Sequence, residues 1–448
     1  MHTDITWHGR PARGRHAQFA RETFGLDAIG AKPPEPCKLP LPQAGECIAV
    51  VGPSGAGKTL ALRALNATEV SPLRCEELNT PVLELFDARL PSESVLRSLA
   101  RVGLADGRLW ALRAGQLSAG ECRRLEFALA LCGREGVLVA DEFDAHLDST
   151  TACVLAQNLR RLVERDALQL VVSTHRPETL AYLQPRRVIE IDGGIATERG
   201  DLPGAARTML DEIEIAPGRL RDYDRFKHWH YLGPGRPGPT SDVLLATHRG
   251  RAVGIVTFGY PHLLLSIRAE ALPQFAPRCI AGGGAGALNR DLRLLQRVVV
   301  EPRFRGVGIA QALIRAGLER LQVPYVECIA QMGGFSDFLL ASGFRQVGEV
   351  APPRSARKLA GFLAERGITP DELLEPERRA AVRERLAGDD REQLDGMLRG
   401  LANTRIQTGF GSLRDGHGGI PETLLRKALA RLHARPGYFL WTRSGRET

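Results

Sequence analysis

The sequence has no apolar run near the roughly 18–20 residues that a membrane-spanning helix requires. Its start, MHTDITWHGRPARGRH, lacks the apolar core of a secretory signal peptide. The eight cysteines contain no CxxC pair, which argues against a zinc site or a disulfide framework; they are residues 37, 47, 75, 122, 132, 153, 279 and 328. These absences predict a cytoplasmic protein with reduced thiols and no membrane partner, and they exclude a transporter that crosses the bilayer by itself.

Acidic residues are somewhat fewer than basic ones, 52 against 60, and the resulting net charge of +8 is carried almost wholly by arginine. Guanidinium groups can fork onto phosphate, so a nucleotide or nucleic-acid partner fits this balance. A genome whose codons favour arginine would give the same composition, and charge alone does not choose between the two explanations. The length of 448 residues predicts roughly two to three domains.

The distribution of apolar, proline-rich and glycine-rich segments predicts an α/β chain in several regions. Apolar runs at 46–51, 137–140 and 168–173 are typical of buried parallel strands, and 188–198 is typical of a hairpin. The predicted regions are a basic, proline-rich arm (1–44), a first domain (45–200), a linker (201–211), a second domain (212–350) and a helical region with a final strand (351–448).

The stretch VGPSGAGKT contains the pattern G-x-x-x-x-G-K-[ST] between a predicted strand and a predicted helix. In such a loop the backbone N–H groups wrap the phosphates, the lysine neutralises the β and γ oxygens, and the hydroxyl holds Mg²⁺. The sequence therefore predicts an ATP-binding loop made of Gly52, Ser54, Gly55, Gly57, Lys58 and Thr59.

Further short motifs follow the loop in the sequence. LSAGE (117–121) carries the S-x-x-E spacing of a capping box, in which Ser118 begins a helix whose free N–H groups can face an anion. An ordinary capped helix would have the same spacing. VLVADE (137–142) is an apolar strand that ends in two carboxylates, HLD (146–148) comes next, and STH (173–175) ends the following strand.

Taken together, these motifs resemble those of the ATP-binding cassette (ABC) ATPases over about residues 40–200. The resemblance implies a homodimer in which ATP and Mg²⁺ are held by the Lys58 loop of one copy and by the helix start of the other copy. It implies that Thr59 and Asp141 hold Mg²⁺, that Glu142 polarises the attacking water and that His175 contacts the γ-phosphate. The helix start would supply Ser118, Gly120 and Glu121, and Asp148 would couple the two sites.

Two departures from that family argue against a transporter ATPase. No glutamine lies between Thr59 and Ala114, where the family has a residue that helps to hold Mg²⁺. Glu84 or Asp87 could replace it, although each could equally be a surface acid. The segment is also short for the helical arm that grips membrane subunits. Phe24 is a candidate stacking partner for adenine.

A second glycine loop lies in VVVEPRFRGVGIAQALI (298–314), between a predicted strand and a predicted helix. Its R-x-x-G-x-G pattern and its arginines suit a pyrophosphate, although a turn without a ligand could have the same pattern. This region, about 212–350, resembles the GNAT acetyltransferases, with an α+β fold. The resemblance implies acetyl-coenzyme A binding by Val298, Val300, Arg303, Arg305, Gly306 and Gly308.

Catalytic residues of the second domain are not specified by the sequence. The helix predicted at 335–341 has Phe335 and Phe338 where GNAT enzymes often place a tyrosine. Glu301 or Glu327 could act as a base or be a surface acid. His228 and His230, within FKHWHYLG, could contact substrate beside aromatic rings that could stack on a nucleobase, or could belong to a packed helix edge. The glycine-rich stretch 282–287 is predicted to be a mobile loop.

Three functional hypotheses follow. The first is an ATP-driven dimeric enzyme that transfers an acetyl group from acetyl-coenzyme A to an amine, such as one on a nucleic-acid base. This combination resembles a small group of predicted ATPase–acetyltransferase fusions. The second is a nucleic-acid-binding ATP switch whose GNAT-like domain is not catalytic. The third is a transporter ATPase.

Overall fold

The chain divides into two units, Met1–Asp211 and Glu212–Thr448. The computed structural model describes residues 14–24, 37–132, 136–200, 204–230, 235–331, 333, 335–402, 429, 432 and 435–443. Much of the predicted arm, the start of the predicted linker, residues 231–233 of FKHWHYLG and most of 403–434 lie outside these ranges. No helix within them combines the length and apolarity needed to cross a membrane.

The first unit alternates short strands with helices. Its elements are α1 (Arg15–Phe24), β1 (Cys47–Val51), α2 (Lys58–Arg63), β2 (Thr68–Glu69), α3 (Ser92–Arg101), α4 (Gly107–Trp110), α5 (Ala119–Cys132), β3 (Leu138–Ala140), α6 (Ser149–Asp166), β4 (Leu170–Ser173), α7 (Pro177–Leu183), β5 (Arg187–Asp192) and β6 (Ile195–Glu198). The strands form one sheet in the order β2-β3-β4-β1-β5-β6. All pairs are parallel except the β5–β6 hairpin, which the sequence predicted.

Apolar strand residues hold this sheet to its helices. Ile48 and Val50 of β1 pack in one cluster with Ala61 and Leu62 of α2, and Val171 of β4 is buried in the same cluster. Since β1, β3 and β4 are parallel neighbours, their carboxyl ends lie at one edge of the sheet. The segments that follow these three ends carry the glycine loop, the two carboxylates and STH, so the topology brings the predicted motifs together.

The second unit is built on a separate sheet. Its elements are β7 (Ile213–Pro217), β8 (Thr240–His248), β9 (Arg251–Gly259), α8 (Arg268–Ala271), α9 (Pro277–Cys279), α10 (Ala285–Asp291), β10 (Leu292–Val300), α11 (Ile309–Arg320), β11 (Tyr325–Ala330), β12 (Arg345–Glu349), α12 (Arg354–Glu365), α13 (Pro376–Arg385), α14 (Gly388–Ala402) and β13 (Gly437–Thr442). The strand order is β12-β13-β11-β10-β9-β8-β7. The final apolar run of the sequence therefore does return to this sheet as β13, between β12 and β11.

Strands β10 and β11 are parallel neighbours that pair over only part of their length. Residues 292–294 of β10 pair with 325–327 of β11, whereas β10 continues to Val300 along its antiparallel neighbour β9. A bulge interrupts the β9–β10 register between Leu295 and Arg297. Beyond residue 294, therefore, β10 has a ladder on one side only.

Helices α12, α13 and α14 share a core of their own. Leu359, Phe362, Leu394 and Leu398 are buried in one cluster, which Leu429 also joins. The helical composition of this region matches the described helices of Arg354–Ala402.

Two local predictions are wrong. Residues 335–341 form turns that lead into a 3₁₀ turn at Leu340–Ser342, and not a helix; Gly343, at φ +90, ends the segment. Residues 282–287 are not a single loop. Helical turns occupy Ile280–Gly284 and the start of α10, with the buried Ile280 and Leu288 on either side, and a kink at Gly283, φ +101, interrupts them.

Candidate functional site

The glycine loop begins where β1 leaves the sheet. Gly52 has φ +142, and a Cβ at this position would lie 2.1 Å from the carbonyl oxygen of Ile191. Only glycine fits this close approach of two backbones. The loop ends at Gly57, which caps α2, so Lys58 and Thr59 open the helix.

Lys58 is held inside the loop. Its side chain is 6% exposed, and its ammonium donates to the carbonyl oxygens of Gly52 and Pro53, each at 2.9 Å. An ammonium has three N–H donors, so one remains for a ligand. Burial lowers the pKa of Lys58, and the nearby carboxylates of Glu142 and Asp141 act in the opposite direction. The loop therefore concentrates a positive charge beside two carboxylates.

Asp141, the first residue after β3, is hydrogen-bonded to the start of α2 and to the end of β4. Its Oδ2 accepts from the hydroxyl of Thr59 at 2.6 Å, and its Oδ1 accepts from the hydroxyl of Ser173 at 2.5 Å. Carboxylate and hydroxyl oxygens are ligands that suit Mg²⁺. Among the described residues no group of three or more His, Cys, Asp or Glu side chains is placed to hold a metal, so an ion here would need ligands from water or a phosphate.

Glu142 follows Asp141 directly, and its side chain is exposed. Its backbone is left-handed, at φ 44, and its N–H donates to Ser173 Oγ at 2.7 Å. A non-glycine residue in this region is strained, by about 1–3 kcal/mol, and such strain clusters at functional sites. Oε1 of Glu142 lies 3.1 Å from Nε2 of His175, and the side chains are 52% and 40% exposed. The pair can therefore act on a bound molecule.

The capping box predicted at Ser118 and Glu121 is present. The backbone N–H and the hydroxyl of Ser118 both donate to Glu121 Oε2, at 2.9 and 2.7 Å, and the N–H of Glu121 approaches Ser118 Oγ at 3.4 Å. Ser118 is exposed at the start of the 14-residue helix α5. In the described part of the chain its side-chain hydrogen bonds stay within the first turn of α5, and none connects it to the loop that carries Lys58.

Gly120 and Asp148 connect the starts of α5 and α6. A Cβ on Gly120 would lie 2.7 Å from Thr151 Cγ2, so glycine allows the two helices to meet closely. Asp148 caps α6 by accepting from the N–H and the hydroxyl of Thr151, at 3.1 and 2.5 Å. Gly120, Asp148 and Thr151 therefore form a second group of residues, at the starts of α5 and α6.

Two residues at the site were missed by the sequence reasoning. Ser173 holds both Asp141 and the backbone of Glu142, and its place in STH, at a strand end, was the available signal. Arg123 is buried in α5 and donates to the carbonyl oxygens of Phe143, at 3.0 Å, and Asp141, at 3.1 Å. Nothing in its local sequence distinguishes it from the neighbouring Arg124.

Other candidates for the nucleotide site have surface positions. Asp87 is paired with Arg89, and Glu84 is exposed in a 3₁₀ turn, so both fit the surface-acid alternative. Phe24 is 69% exposed at the end of α1.

In the second unit, the glycine loop lies between β10 and α11. Gly308, at φ +99, caps α11, and Gly306 also has positive φ, at +90. Arg305 Nε donates to the carbonyl oxygen of Val300 at 3.1 Å. Arg303 is paired with Glu301 at 2.7 Å, so part of its charge is compensated. Val298 and Val300 are among the last three residues of β10, just before the loop.

The candidate bases of the second unit both have arginine partners. Glu301 is 3% exposed and lies between Arg303 and Arg251. Glu327 is fully buried and receives two hydrogen bonds from the fully buried Arg268, at 2.8 and 2.9 Å. Neither is a surface acid, and neither has a carboxylate free of a cation.

The histidines of FKHWHYLG follow a packed 3₁₀ segment. His228 lies against Trp229, with ring centroids 4.3 Å apart, and His230 is 7% exposed. The neighbouring Phe226 is fully buried. These positions favour the packed-edge alternative for the described part of the motif.

Comparison with known proteins identifies relatives for part of the chain. It is 27% identical over 217 residues to the phosphonates import ATP-binding protein PhnC of Lactococcus lactis, a match that takes in 38% of this chain and 87% of the relative. It is 31% identical over 197 residues to the lipoprotein-releasing system ATP-binding protein LolD of Myxococcus xanthus, covering 35% of this chain and 86% of the relative.

Among solved structures, CbiO1 of Clostridium perfringens, part of the ABC transporter complex CbiONQ, matches 34% of this chain and 76% of its own, with 19% identity and a TM-score of 0.31. No protein-family model matches the sequence. These relatives account for little more than a third of the chain.

Proposed function

Because this chain belongs to the ATP-binding cassette (ABC) family of ATPases, we propose that residues 45–200 bind ATP with Mg²⁺ and hydrolyse it. The observation that carries this proposal is the convergence of Lys58, Thr59, Asp141 and Glu142 at one sheet edge. Lys58 binds the β and γ phosphate oxygens through its remaining donor. Glu142 orients the water that attacks the γ-phosphorus, and His175 contacts the γ-phosphate.

Mg²⁺ supplies charge neutralisation at the phosphates, and Thr59 and Asp141 are the residues that would hold it. Ser173 acts as a positioning residue, since one hydroxyl fixes the Asp141 carboxylate and the Glu142 backbone. The glycines and Ser54 of the loop supply backbone N–H groups to the phosphates.

The active form in this proposal is a homodimer. Ser118 is exposed at a helix start whose N–H groups favour an anion, yet its hydrogen bonds stay within its own helix. A second copy can present Ser118, Gly120 and Glu121 to the γ-phosphate held by Lys58. Asp148, at the start of the adjoining α6, couples the two sites.

A mixing experiment tests the shared site. Lys58→Ala and Ser118→Arg chains are each expected to be inactive. In their heterodimer, one site carries both changes and the other carries neither, so mixing should restore ATP hydrolysis. A mixture of Lys58→Ala with Glu142→Gln is the matched control, because both lesions belong to the same half-site and each composite site then keeps one of them. Failure of the first mixture to regain activity would contradict the dimer.

For residues 212–350 we propose a GNAT-like domain that binds acetyl-coenzyme A, followed by the helical region 351–448. Support comes from the end of the β10–β11 ladder after residue 294 of β10, and from the positive-φ glycines of the loop that follows β10. Gly308, whose φ lies in the left-handed region, caps α11. The free backbone N–H groups at this helix start can then face a pyrophosphate. The backbone of Val298 and Val300, with Arg305 and Gly306, would line the coenzyme.

The acceptor in this proposal is an amine, with nucleic-acid bases as the candidate class because of the +8 net charge. The amine nitrogen attacks the thioester carbonyl, the thiolate leaves, and the amine loses one proton. A second candidate is a non-catalytic GNAT-like domain in a nucleic-acid-binding switch. The arginine partners of Glu301 and Glu327 favour this alternative, because they leave neither carboxylate as an evident base.

Acetyl-coenzyme A binding separates the two candidates. Saturable binding that is weakened by Gly306→Glu would support the first, and transfer of labelled acetyl to nucleic acid in the presence of ATP would establish it. Gly250→Glu is the matched control, since Gly250 has φ +77, lies in the same unit and has open space at its Cβ position. Absence of saturable binding would remove the acetyl-transfer proposal and leave the ATPase proposal untouched.

A further inference from the structure

A cluster of polar side chains is buried in the second unit without the hydrogen bonds that burial requires. The hydroxyls of Tyr223 and Thr257, both on fully buried residues, make no well-formed hydrogen bond to the described residues, and neither does Nε of Arg297. Buried polar groups are paired in the great majority of cases, so an unpaired set at one place needs an explanation.

The sheet brings these three residues to one face. Thr257 of β9 is the direct partner of Arg297 of β10, and on its other side it pairs with Val243 of β8. Tyr223 packs in one cluster with Val243. Burial raises the pKa of Tyr223, while the charge of the nearby Arg297 guanidinium and a hydrogen-bonding interaction with it lower that pKa. Tyr223, Thr257 and Arg297 are therefore neighbours.

This face is the one opposite α11. A Cβ on Gly254 would touch Leu313 of α11, and a Cβ on Gly317 of α11 would touch the ring of Phe258. Because side chains alternate along β9, Thr257 points to the other side. The bulge next to Arg297 shifts the register of β10 there, and Arg297 lies beyond the last residue of β10 that pairs with β11.

The charge of Arg297 is uncompensated within the described chain. No ion pair to it is present, and apart from its interaction with the Tyr223 hydroxyl the guanidinium makes one hydrogen bond, from Nη1 to the carbonyl oxygen of the preceding Gln296, at 2.7 Å. A guanidinium has five N–H donors in a planar fork that matches carboxylate and phosphate. Arg297 is only half-buried, so a ligand can reach it.

We propose that Arg297, Tyr223 and Thr257 form an oxyanion-binding site, which takes a carboxylate or phosphate group of the molecule that receives the acetyl group. The site itself follows from the geometry of β9 and β10, whereas its assignment to the acceptor rests on the proposed function. An oxyanion satisfies the guanidinium fork and both hydroxyls at once. The acceptor would thus be an amine that also carries an acidic group.

The test is thermal unfolding of the full chain with acetate or inorganic phosphate at matched ionic strength. It is done in a Lys58→Ala background, so that phosphate does not act through the glycine loop of the first unit. We expect a concentration-dependent rise in the unfolding temperature, from which an affinity is obtained. Arg297→Met should weaken that affinity about 10- to 100-fold, as expected for losing hydrogen bonds to a charged group.

Two further substitutions distinguish a loss of oxyanion binding from a folding defect. Tyr223→Phe and Thr257→Val remove unpaired hydroxyls, so the unfolding temperature without ligand should be unchanged or higher, while the oxyanion-dependent rise shrinks. Arg345→Met is the control for net charge, because Arg345 is exposed on β12 of the same sheet. A rise with phosphate but not acetate identifies phosphate as the ligand group, and the reverse identifies carboxylate.

No rise in the parent chain, or an equal rise in all cluster variants, would overturn the site. Acetyl-coenzyme A binding is measured separately on the unaltered chain. If the coenzyme does not bind while the oxyanion does so through Arg297, acetyl transfer is refuted and the oxyanion site stands.

Discussion

The carboxylate of Glu142 and the imidazole of His175 lie 3.1 Å apart, at the ends of the neighbouring parallel strands β3 and β4. Replacing Glu142 by Gln keeps the shape of the side chain but removes the charge that polarises water. We expect Glu142→Gln to lower ATP hydrolysis about 10²–10⁴-fold, the range for loss of a general base, and to leave ATP affinity nearly unchanged. Phosphate release and nucleotide binding, measured on the same preparation, check both parts.

Lys58→Ala provides the contrast for that measurement. Lys58 donates to the loop as well as to the proposed phosphates, so this change should weaken ATP binding itself, by about 10- to 100-fold. If Glu142→Gln and Lys58→Ala lowered affinity equally, the division of roles between binding and hydrolysis would be incorrect.

Ser118 is both a helix cap and the proposed contact with the partner's nucleotide. Ser118→Ala should cost about 1 kcal/mol of stability, because the capping oxygen is lost. Ser118→Asn retains a capping oxygen but is larger, so we expect normal stability and a hydrolysis rate lowered about tenfold or more. Thermal unfolding and ATP hydrolysis are compared across both variants. Normal hydrolysis in Ser118→Asn would indicate that Ser118 serves only as a cap.

The sequence predicted those parts of the fold that depend on local pattern. The apolar runs before Gly52 and Asp141 became the buried strands β1 and β3, and the S-x-x-E spacing of Ser118 and Glu121 became a capping box. Each of these features is determined by residues a few positions apart. The convergence of the motifs at one edge then follows from parallel strand order.

Features that depend on contacts between residues far apart in the sequence could not be predicted from local patterns. Glu327 is 59 residues from Arg268, and no local sequence pattern indicates that the two are paired inside the protein. The glycine content of residues 282–287 predicts a loop, whereas helical turns with the buried Ile280 and Leu288 occupy the segment on both sides of a kink at Gly283. Tertiary contacts overrode local propensity in both regions.

The buried pair of Arg268 and Glu327 makes a stability prediction possible. Both side chains are 0% exposed, and Tyr438 of β13 also donates to Glu327, at 2.9 Å. Arg268→Met leaves a buried carboxylate without its cation, so we expect a loss of about 3–5 kcal/mol. The double variant Arg268→Met with Glu327→Gln should lose less, because no unpaired charge remains. Hydrogen exchange of the β13 amides reports on this unit directly, and equal exchange in the single and double variants would contradict the interpretation.

His262 lies next to this pair, since its carbonyl oxygen accepts from Arg268 at 2.6 Å. Burial lowers the pKa of His262 below the usual 6.5, with the charges of Glu327 and Arg268 acting in opposite directions. Below about pH 6.5 the unfolded chain therefore binds a proton at His262 more readily than the folded chain does. The neutral, buried His262 thus costs no stability above that pH, and the folded state loses stability as the pH falls from about 6.5 through the lowered pKa. We expect exchange of the β11 and β13 amides to reveal a less stable unit at about pH 5.5 than at about pH 7.5, and His262→Gln to reduce that difference. An unchanged difference in His262→Gln would assign the pH dependence to other groups.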